Sequence, residues 1–259
     1  MGMEGQSREH HIVALSGGKD STAMSLRLQE VEPRDYLYVC TPTGDELPDM
    51  VEHWKRLERV LGANIIQLRA KHDLNGWIEF WNALPNGRMR WCTRVLKIEP
   101  FQAFVKRKSL DGTVTVYVGL RGDEPKRRGS VYSVDVKQRF PMREWGWNVG
   151  DVWKYLSKKN IRIPKRTDCA RCFFQRLGEW WETWNNHPAI YASAEKQEAD
   201  TGFTFRRKDR DSQPTGLKEL REKFESGYIP KILPHPQDDP GLQQQELFDE
   251  ETRCRVCEL

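Results

Sequence analysis

Ser16-Gly17-Gly18-Lys19-Asp20-Ser21 constrains this chain more than any other stretch. It follows a short apolar run from His11 to Leu15. It precedes Thr22-Ala23-Met24-Ser25-Leu26-Arg27-Leu28, where Met24, Leu28 and then Val31 recur at helical spacing. The pattern predicts a strand, a tight glycine loop and a helix. Two adjacent glycines let backbone N–H groups approach an anion with no Cβ in the way. The helix start adds its own unpaired N–H groups and the positive end of its dipole. Ser16 and Ser21 supply hydroxyls, and Lys19 supplies a point charge for phosphate oxygens. Because the second glycine directly follows the first, this is not the Walker phosphate loop.

The elements that follow repeat the strand–helix alternation. Residues 35–40 form a second strand candidate that runs into a turn-rich loop, Thr41-Pro42-Thr43-Gly44-Asp45-Glu46-Leu47-Pro48-Asp49. A helix with Met50, Trp54, Leu57 and Leu61 on one face comes next, then a third strand over residues 64–68. Such alternation predicts a parallel sheet with right-handed crossovers, whose ligands lie beyond the carboxyl ends of the strands. Cys40, at the end of a buried strand, is expected in the core. Trp77, Phe80 and Trp81 fall on a short helix. Residues 113–118 alternate β-branched residues and end in Gly119-Leu120-Arg121-Gly122-Asp123-Glu124, and residues 131–136 are read as a fifth strand. Trp180, Trp181, Trp184, His187 and Tyr191 sit on helical segments as core and packing residues. Between residues 228 and 240, four prolines predict an extended connection.

The 259 residues suit one α/β domain over residues 1–165 and a smaller cysteine-containing helical extension over residues 166–259. No apolar run approaches the ~18 residues needed to span a membrane, and the N-terminus lacks a signal peptide. A soluble, cytoplasmic protein is expected. The formal net charge is +4, with basic clusters at residues 106–108, 126–128 and 206–208. In a reducing compartment, the spacing Cys169-Ala170-Arg171-Cys172 and Cys254-Arg255-Val256-Cys257 points to metal or redox chemistry rather than disulfides. Two thiolates so spaced suit zinc and iron–sulfur clusters alike. Cys92 lies among Arg88, Arg90, Arg94 and Lys97, which favours either a thiolate or an inert cysteine on a basic amphipathic helix.

The Ser16–Ser21 loop resembles the pyrophosphate (PP) loop, SGGxDS, of the adenine-nucleotide α-hydrolase superfamily. That superfamily includes ATP pyrophosphatases, tRNA thiolation enzymes and phosphoadenylylsulfate (PAPS) reductases. Thr43-Gly44-Asp45-Glu46 is similar to the family's T-G-x-E loop, and Gly119–Glu124 to its G-x-R-x-x-E/Q loop. Phe140-Pro141-Met142-Arg143-Glu144-Trp145 with Asp151-Val152-Trp153-Lys154-Tyr155 resembles a structural signature of the same family. The Arg88–Pro100 segment is similar to the cluster-bearing segment of the assimilatory reductases, with Trp91 where the first of two paired cysteines would stand. The likeness covers residues 10 to 175.

The resemblance implies a doubly wound, mostly parallel, five-stranded sheet with a cysteine-bearing C-terminal extension folded over the ligand face. It implies a nucleotide site of Ser16, Gly17, Gly18, Lys19, Asp20, Ser21, Thr43, Gly44, Gly119 and Arg121. Gly119 would let adenosine approach the backbone, Arg121 would bind a phosphate or sulfate oxygen, and Lys19, Asp20 and Arg121 would be catalytic. It also implies a [4Fe–4S] cluster, with zinc as the alternative, on Cys92, Cys169, Cys172 and one of Cys254 or Cys257. The reductases carry a catalytic cysteine in an E-C-G-L-H tail, a part Cys254 or Cys257 would take here without the Gly and His.

The activity so implied uses ATP with Mg2+ to adenylylate a substrate, read as nucleic acid, releasing pyrophosphate coupled to iron–sulfur-dependent sulfur transfer. One alternative is a PAPS or adenylylsulfate reductase forming sulfite; another is a nucleotide-binding module without turnover. A sulfur or electron donor protein or thiol, and a second copy of the chain as a homodimer, complete the expected partners.

Overall fold

The computed structural model describes residues 8–129, 132, 135–206 and 214–238. Its sheet has five strands in the order β3-β2-β1-β4-β5, each pair parallel. These are β1 (Arg8–Ala14), β2 (Tyr36–Cys40), β3 (Ile65–Gln67), β4 (Gly112–Tyr117) and β5 (Val136–Arg139). Succession reverses between β1 and β4, so the loops leaving these two strands flank the switch-point crevice where open α/β sheets bind ligands.

Strand alternation sorts the core into two layers. Val13, Tyr38, Cys40 and Tyr117 face one layer, where α1 (Lys19–Val31), α2 (Pro48–Leu61) and α7 (Val149–Lys158) pack. Cys40 is buried there as expected, its thiol pushed up to about 12 by burial. Ile12, Ala14, Val39, Val114 and Val116 face the other layer against Phe101, Phe104 and Val105 of α5 (Glu99–Ser109).

The helices start and stop where local chemistry asks. Pro48 opens α2 and Gly62, at φ 63°, closes it in the left-handed region. Asn148 and Asp151 form a capping box at the head of α7. Of the fifth strand expected over residues 131–136, residues 131, 133 and 134 lie outside the described residues; the described strand is Val136–Arg139, paired from Val114↔Val136 to Tyr117↔Arg139. It is an edge strand with one neighbour and mostly half-buried residues, so polar Lys137, Gln138 and Arg139 serve as well as apolar ones.

A third core joins the two parts of the sequence. Leu74 and Ile78 of α3 (Leu74–Trp81), with Leu84, Val95 and Leu96, pack with Trp180, Tyr191, Leu217, Leu220 and Phe224. The latter belong to α8 (Leu177–Asn186), α9 (Pro188–Thr201) and α10 (Leu217–Glu225). Two short helices, α4 (Trp91–Thr93) and α6 (Pro141–Glu144), complete the set, and a π-helical turn, Arg94–Ile98, links α4 to α5. The proline-rich connection is stitched back onto the sheet domain. Arg162 donates two hydrogen bonds to Asp238 at 2.9 and 2.8 Å, and Ile163 N donates to Gln237 Oε1 at 2.8 Å. Among the described residues no helix is long and apolar enough to cross a membrane.

Candidate functional site

The glycine loop turns as its residues require, but its two glycines do different work. Gly17 sits at φ +86°, and a Cβ there would lie 2.3 Å from Met50 Cε and 2.7 Å from Trp54 Nε1. Gly18 has φ −69° and ψ 168°, a backbone open to any residue. A Cβ on Gly18 would meet Ser16 Oγ and Thr167 Oγ1 at 3.5 Å, ordinary contact distances at the mouth of the loop.

The serines hold the turn from inside. Ser16 Oγ lies 3.0 Å from Ser21 Oγ, Gly17 N donates to Ser21 Oγ at 3.1 Å, and Gly18 N donates to Ser16 Oγ at 3.3 Å. Trp54 Nε1 donates to Ser16 O at 3.0 Å and pins the loop to α2. Behind it, burial lowers the pKa of His53 to about 4, so its ring is neutral beside the Gly17 backbone at neutral pH.

Arg121 departs from its expected role as an anion ligand. It is fully buried, and its guanidinium is held by carboxylates. Nη1 donates to both oxygens of Asp20 at 3.0 Å and Nε donates to Asp123 Oδ1 at 2.8 Å. Burial works against ionised Asp20, but Lys19 and Arg121 outweigh it and hold the carboxyl below its ordinary value. Lys19 Nζ lies 3.5 Å from Asp20 Oδ2. Gly119 likewise meets protein before ligand: a Cβ there would lie 3.2 Å from Ser21 N and 3.3 Å from Ser21 Cα. The loop after β4 is thus clamped onto the first turn of α1, close enough that a side chain at 119 would press on the backbone there.

The loop after β2 reaches the other way, to the cysteines. Thr43 N and Oγ1 both donate to Glu46 Oε1, at 2.6 and 2.7 Å, which closes the turn around Gly44 (φ +78°). Thr43 Oγ1 also lies 3.4 Å from Cys169 Sγ. Ala170 N donates to Asp45 O at 2.6 Å and Arg171 N to Asp45 Oδ2 at 3.0 Å. The Arg171 guanidinium pairs with Asp45 in a buried salt bridge, and Nη1 continues to Gln197 Oε1 of α9 at 2.9 Å. Burial pushes the Asp45 carboxyl up despite Arg171. Arg166 Nη2 donates to Cys169 O at 2.9 Å, and Cys172 N closes the knuckle on Cys169 O at 3.1 Å.

Cys92, Cys169 and Cys172 therefore line one pocket, together with Thr43, Lys97 and Arg171. Burial pushes the Cys92 and Cys169 thiols up, and the Lys97 ammonium opposes it. As free thiols they are protonated and poor nucleophiles, whereas a metal centre would bind them as thiolates. Among the described residues no group of three such side chains converges on a single ion. Cys254 and Cys257 lie outside the described residues.

The residues expected at the nucleotide site come together as two sets: Ser16 to Ser21 with Gly119 and Arg121, and Thr43 with Gly44 beside the cysteines. Thr167, beside Gly18 and two residues before Cys169, had no sequence signal. Nor did Arg171, although its position inside the C-x-x-C spacing marks a charge that needs a partner.

The family model described as phosphoadenosine phosphosulfate reductase domain matches residues 10–184. Two uncharacterized proteins of Methanocaldococcus jannaschii are 27% identical over 203 residues and 25% identical over 174 residues. These matches take in 70% and 64% of this chain but 42% and 39% of those proteins, so the chain spans less than half the length of these relatives. Among solved structures, a PAPS reductase from Candida auris in a phosphate complex is 13% identical with a TM-score of 0.45, over 61% of this chain and 75% of that one. An NH3-dependent NAD synthetase from Campylobacter jejuni in complex with nitrate is 13% identical with a TM-score of 0.43, over 88% of this chain and 90% of that one.

Proposed function

Because the chain belongs to the phosphoadenosine phosphosulfate reductase domain family, we propose that its crevice binds ATP as the Mg2+ complex and transfers AMP to an acceptor. In this reading the α-phosphorus is attacked by an acceptor oxygen. The bond to the β-phosphate breaks, and pyrophosphate leaves with the electron pair, held by the Ser16–Ser21 loop. Lys19 and the N-terminus of α1 stabilise charge developing on the departing phosphate. Arg121, held by Asp20 and Asp123, acts as a positioning residue that locks the β4 loop to α1, while Ser16 and Ser21 keep the loop open.

Cys92, Cys169 and Cys172 would hold an iron–sulfur cluster, with Cys254 or Cys257 as a further ligand, and zinc is the alternative. When bound, the cluster would supply the sulfur or electron chemistry that follows adenylylation. The observation that carries the reading is the seam between the two halves: Thr167 stands over Gly18 of the phosphate loop, and two residues on Cys169 lies against Thr43. An activated acceptor at the loop mouth would lie close to the cysteines.

Reduction of a sulfonucleotide to sulfite is the second reading, favoured by the family's description. ATP, Mg2+ and a nucleic-acid acceptor should give adenylylated acceptor and pyrophosphate in equal amounts under the first reading, with AMP released when a sulfur donor displaces it. Lys19→Ala should weaken ATP binding by about tenfold or more, the loss of a charge-assisted contact of about 1.5–3 kcal/mol. Sulfite from PAPS or adenylylsulfate with a thiol donor, and no pyrophosphate from ATP, would replace the first reading with the second.

A further inference from the structure

Helix α3 has an outward face that the chemistry above does not use. Leu74 and Ile78 turn into the helical core, and an amphipathic surface helix would show polar groups opposite them. Here Phe80 is 69% exposed and Trp81 37%. The rings form a continuous series. Trp77 stacks on Trp81 with centroids 4.4 Å apart and planes at 23°, His72 lies nearly parallel to Phe80 at 6.3 Å, and Trp81 meets Trp91 edge-on at 4.9 Å. Trp91 is the neighbour of Cys92, so the series runs from open surface to the rim of the cysteine pocket.

The segment that carries it is basic. Residues 69–97 carry six Lys or Arg (Arg69, Lys71, Arg88, Arg90, Arg94 and Lys97) against Asp73 and Glu79, an excess equal to the net +4 of the whole chain. Lys71 and Arg88 are exposed, and Arg90 lies over the Phe174 ring at 5.8 Å. Flat rings in series on a basic, exposed segment match an anionic chain carrying flat, apolar faces. The rings are already packed against one another, so little side-chain freedom is lost when a partner stacks on them. A duplex keeps its bases inside and cannot use such rings, whereas a single strand can.

We propose that the α3 aromatic face is a platform for single-stranded nucleic acid. Bases stack on Phe80 and Trp81, and Lys71 and Arg88 meet the phosphates. This deepens the function proposed above by naming the acceptor class, and it rests on that reading only for the idea that the strand ends at the pocket.

The test uses the full chain and fluorescein-labelled oligomers of ~12 nucleotides, within the span of known single-strand sites, at about 50 mM salt. Anisotropy should show binding of a single-stranded oligomer and weaker binding of the matching duplex. Phe80→Ala and Phe80→Leu should each weaken binding at least about fivefold, while Phe80→Tyr, which keeps the ring, should hold it. Arg88→Ala should make the salt dependence shallower by about one counterion. ATP binding, read by calorimetry on the same proteins, should not change. Oligomer binding without ATP binding would support the platform and overturn the proposed adenylylation. No binding by the wild type, wild-type affinity in Phe80→Leu, or equal affinity for the duplex would overturn the platform.

Discussion

In the phosphate loop the shaping hydrogen bonds run among Ser16, Gly17, Gly18 and Ser21, with Trp54 of α2 anchoring the loop from outside. In the cysteine pocket the lining comes from positions 43, 74, 85, 92–93, 96–97, 169 and 171–173, and a buried ion pair between Asp45 and Arg171 ties two of these segments together. The first loop is shaped by contiguous chain, with the β4 loop locked onto its far end through Arg121 and Gly119. The second is assembled from separate segments and tied together by the Asp45–Arg171 pair.

The sharpest way to break the pocket without touching a cysteine is Asp45→Asn. Arg171 would stay buried without a counter-charge, keeping only neutral partners such as Gln197, a situation that costs up to about 3–5 kcal/mol. Urea unfolding should show that loss, and the C-x-x-C knuckle should loosen with it. ATP affinity should fall far less than stability. An Asp45→Asn protein as stable as the wild type would show that the pocket does not depend on this clamp.

On the phosphate-loop side the matching buried group is His53. Its folded pKa of about 4 lies below the unfolded value near 6.5. Between those values the unfolded chain binds the extra proton, so the stability present above pH 6.5 is lost as pH falls toward 4. The gap corresponds to at most about 3 kcal/mol. Denaturant midpoints at pH 7 and 5 should differ for the wild type, and His53→Gln should flatten that difference. An unchanged slope in His53→Gln would assign acid sensitivity to other groups.

Legibility follows the same division. The glycine loop was readable because its chemistry is contiguous, and β1, β2 and β4 because buried parallel strands are apolar or β-branched. Edge strand β5 runs on past Val136 through polar Lys137, Gln138 and Arg139, which no apolar run announces, because a strand with one neighbour needs none. The sequence shows Arg121 as a cation but not the carboxylates that claim it, since Asp20 is 101 residues away. Cys169 and Cys172 announce a pair, and the likeness of residues 88–100 to the cluster-bearing segment put Cys92 with them, while the Asp45–Arg171 bridge that ties the C-x-x-C turn to the β2 loop has no spacing to announce it. Gly119 read as space for a ligand, and the structure fills that space with the backbone of Ser21.

The two glycines give the finest test of the comparison, because neighbouring residues of one loop should respond differently. Gly17→Ala places a Cβ on Met50 and Trp54 at a positive φ. Strain of this kind costs about 1–3 kcal/mol, so both melting temperature and nucleotide affinity should drop. Gly18→Ala has an ordinary backbone conformation and ordinary contacts with Ser16 and Thr167, so apo stability should stay within about 0.5 kcal/mol. The added methyl nevertheless faces the loop mouth beside Thr167, where a phosphate would approach the backbone. Calorimetry should therefore show weakened ATP binding in a protein that melts like the wild type. If Gly18→Ala binds ATP normally, the phosphate does not enter past Thr167, and the seam between loop and cysteines loses its place in the reaction.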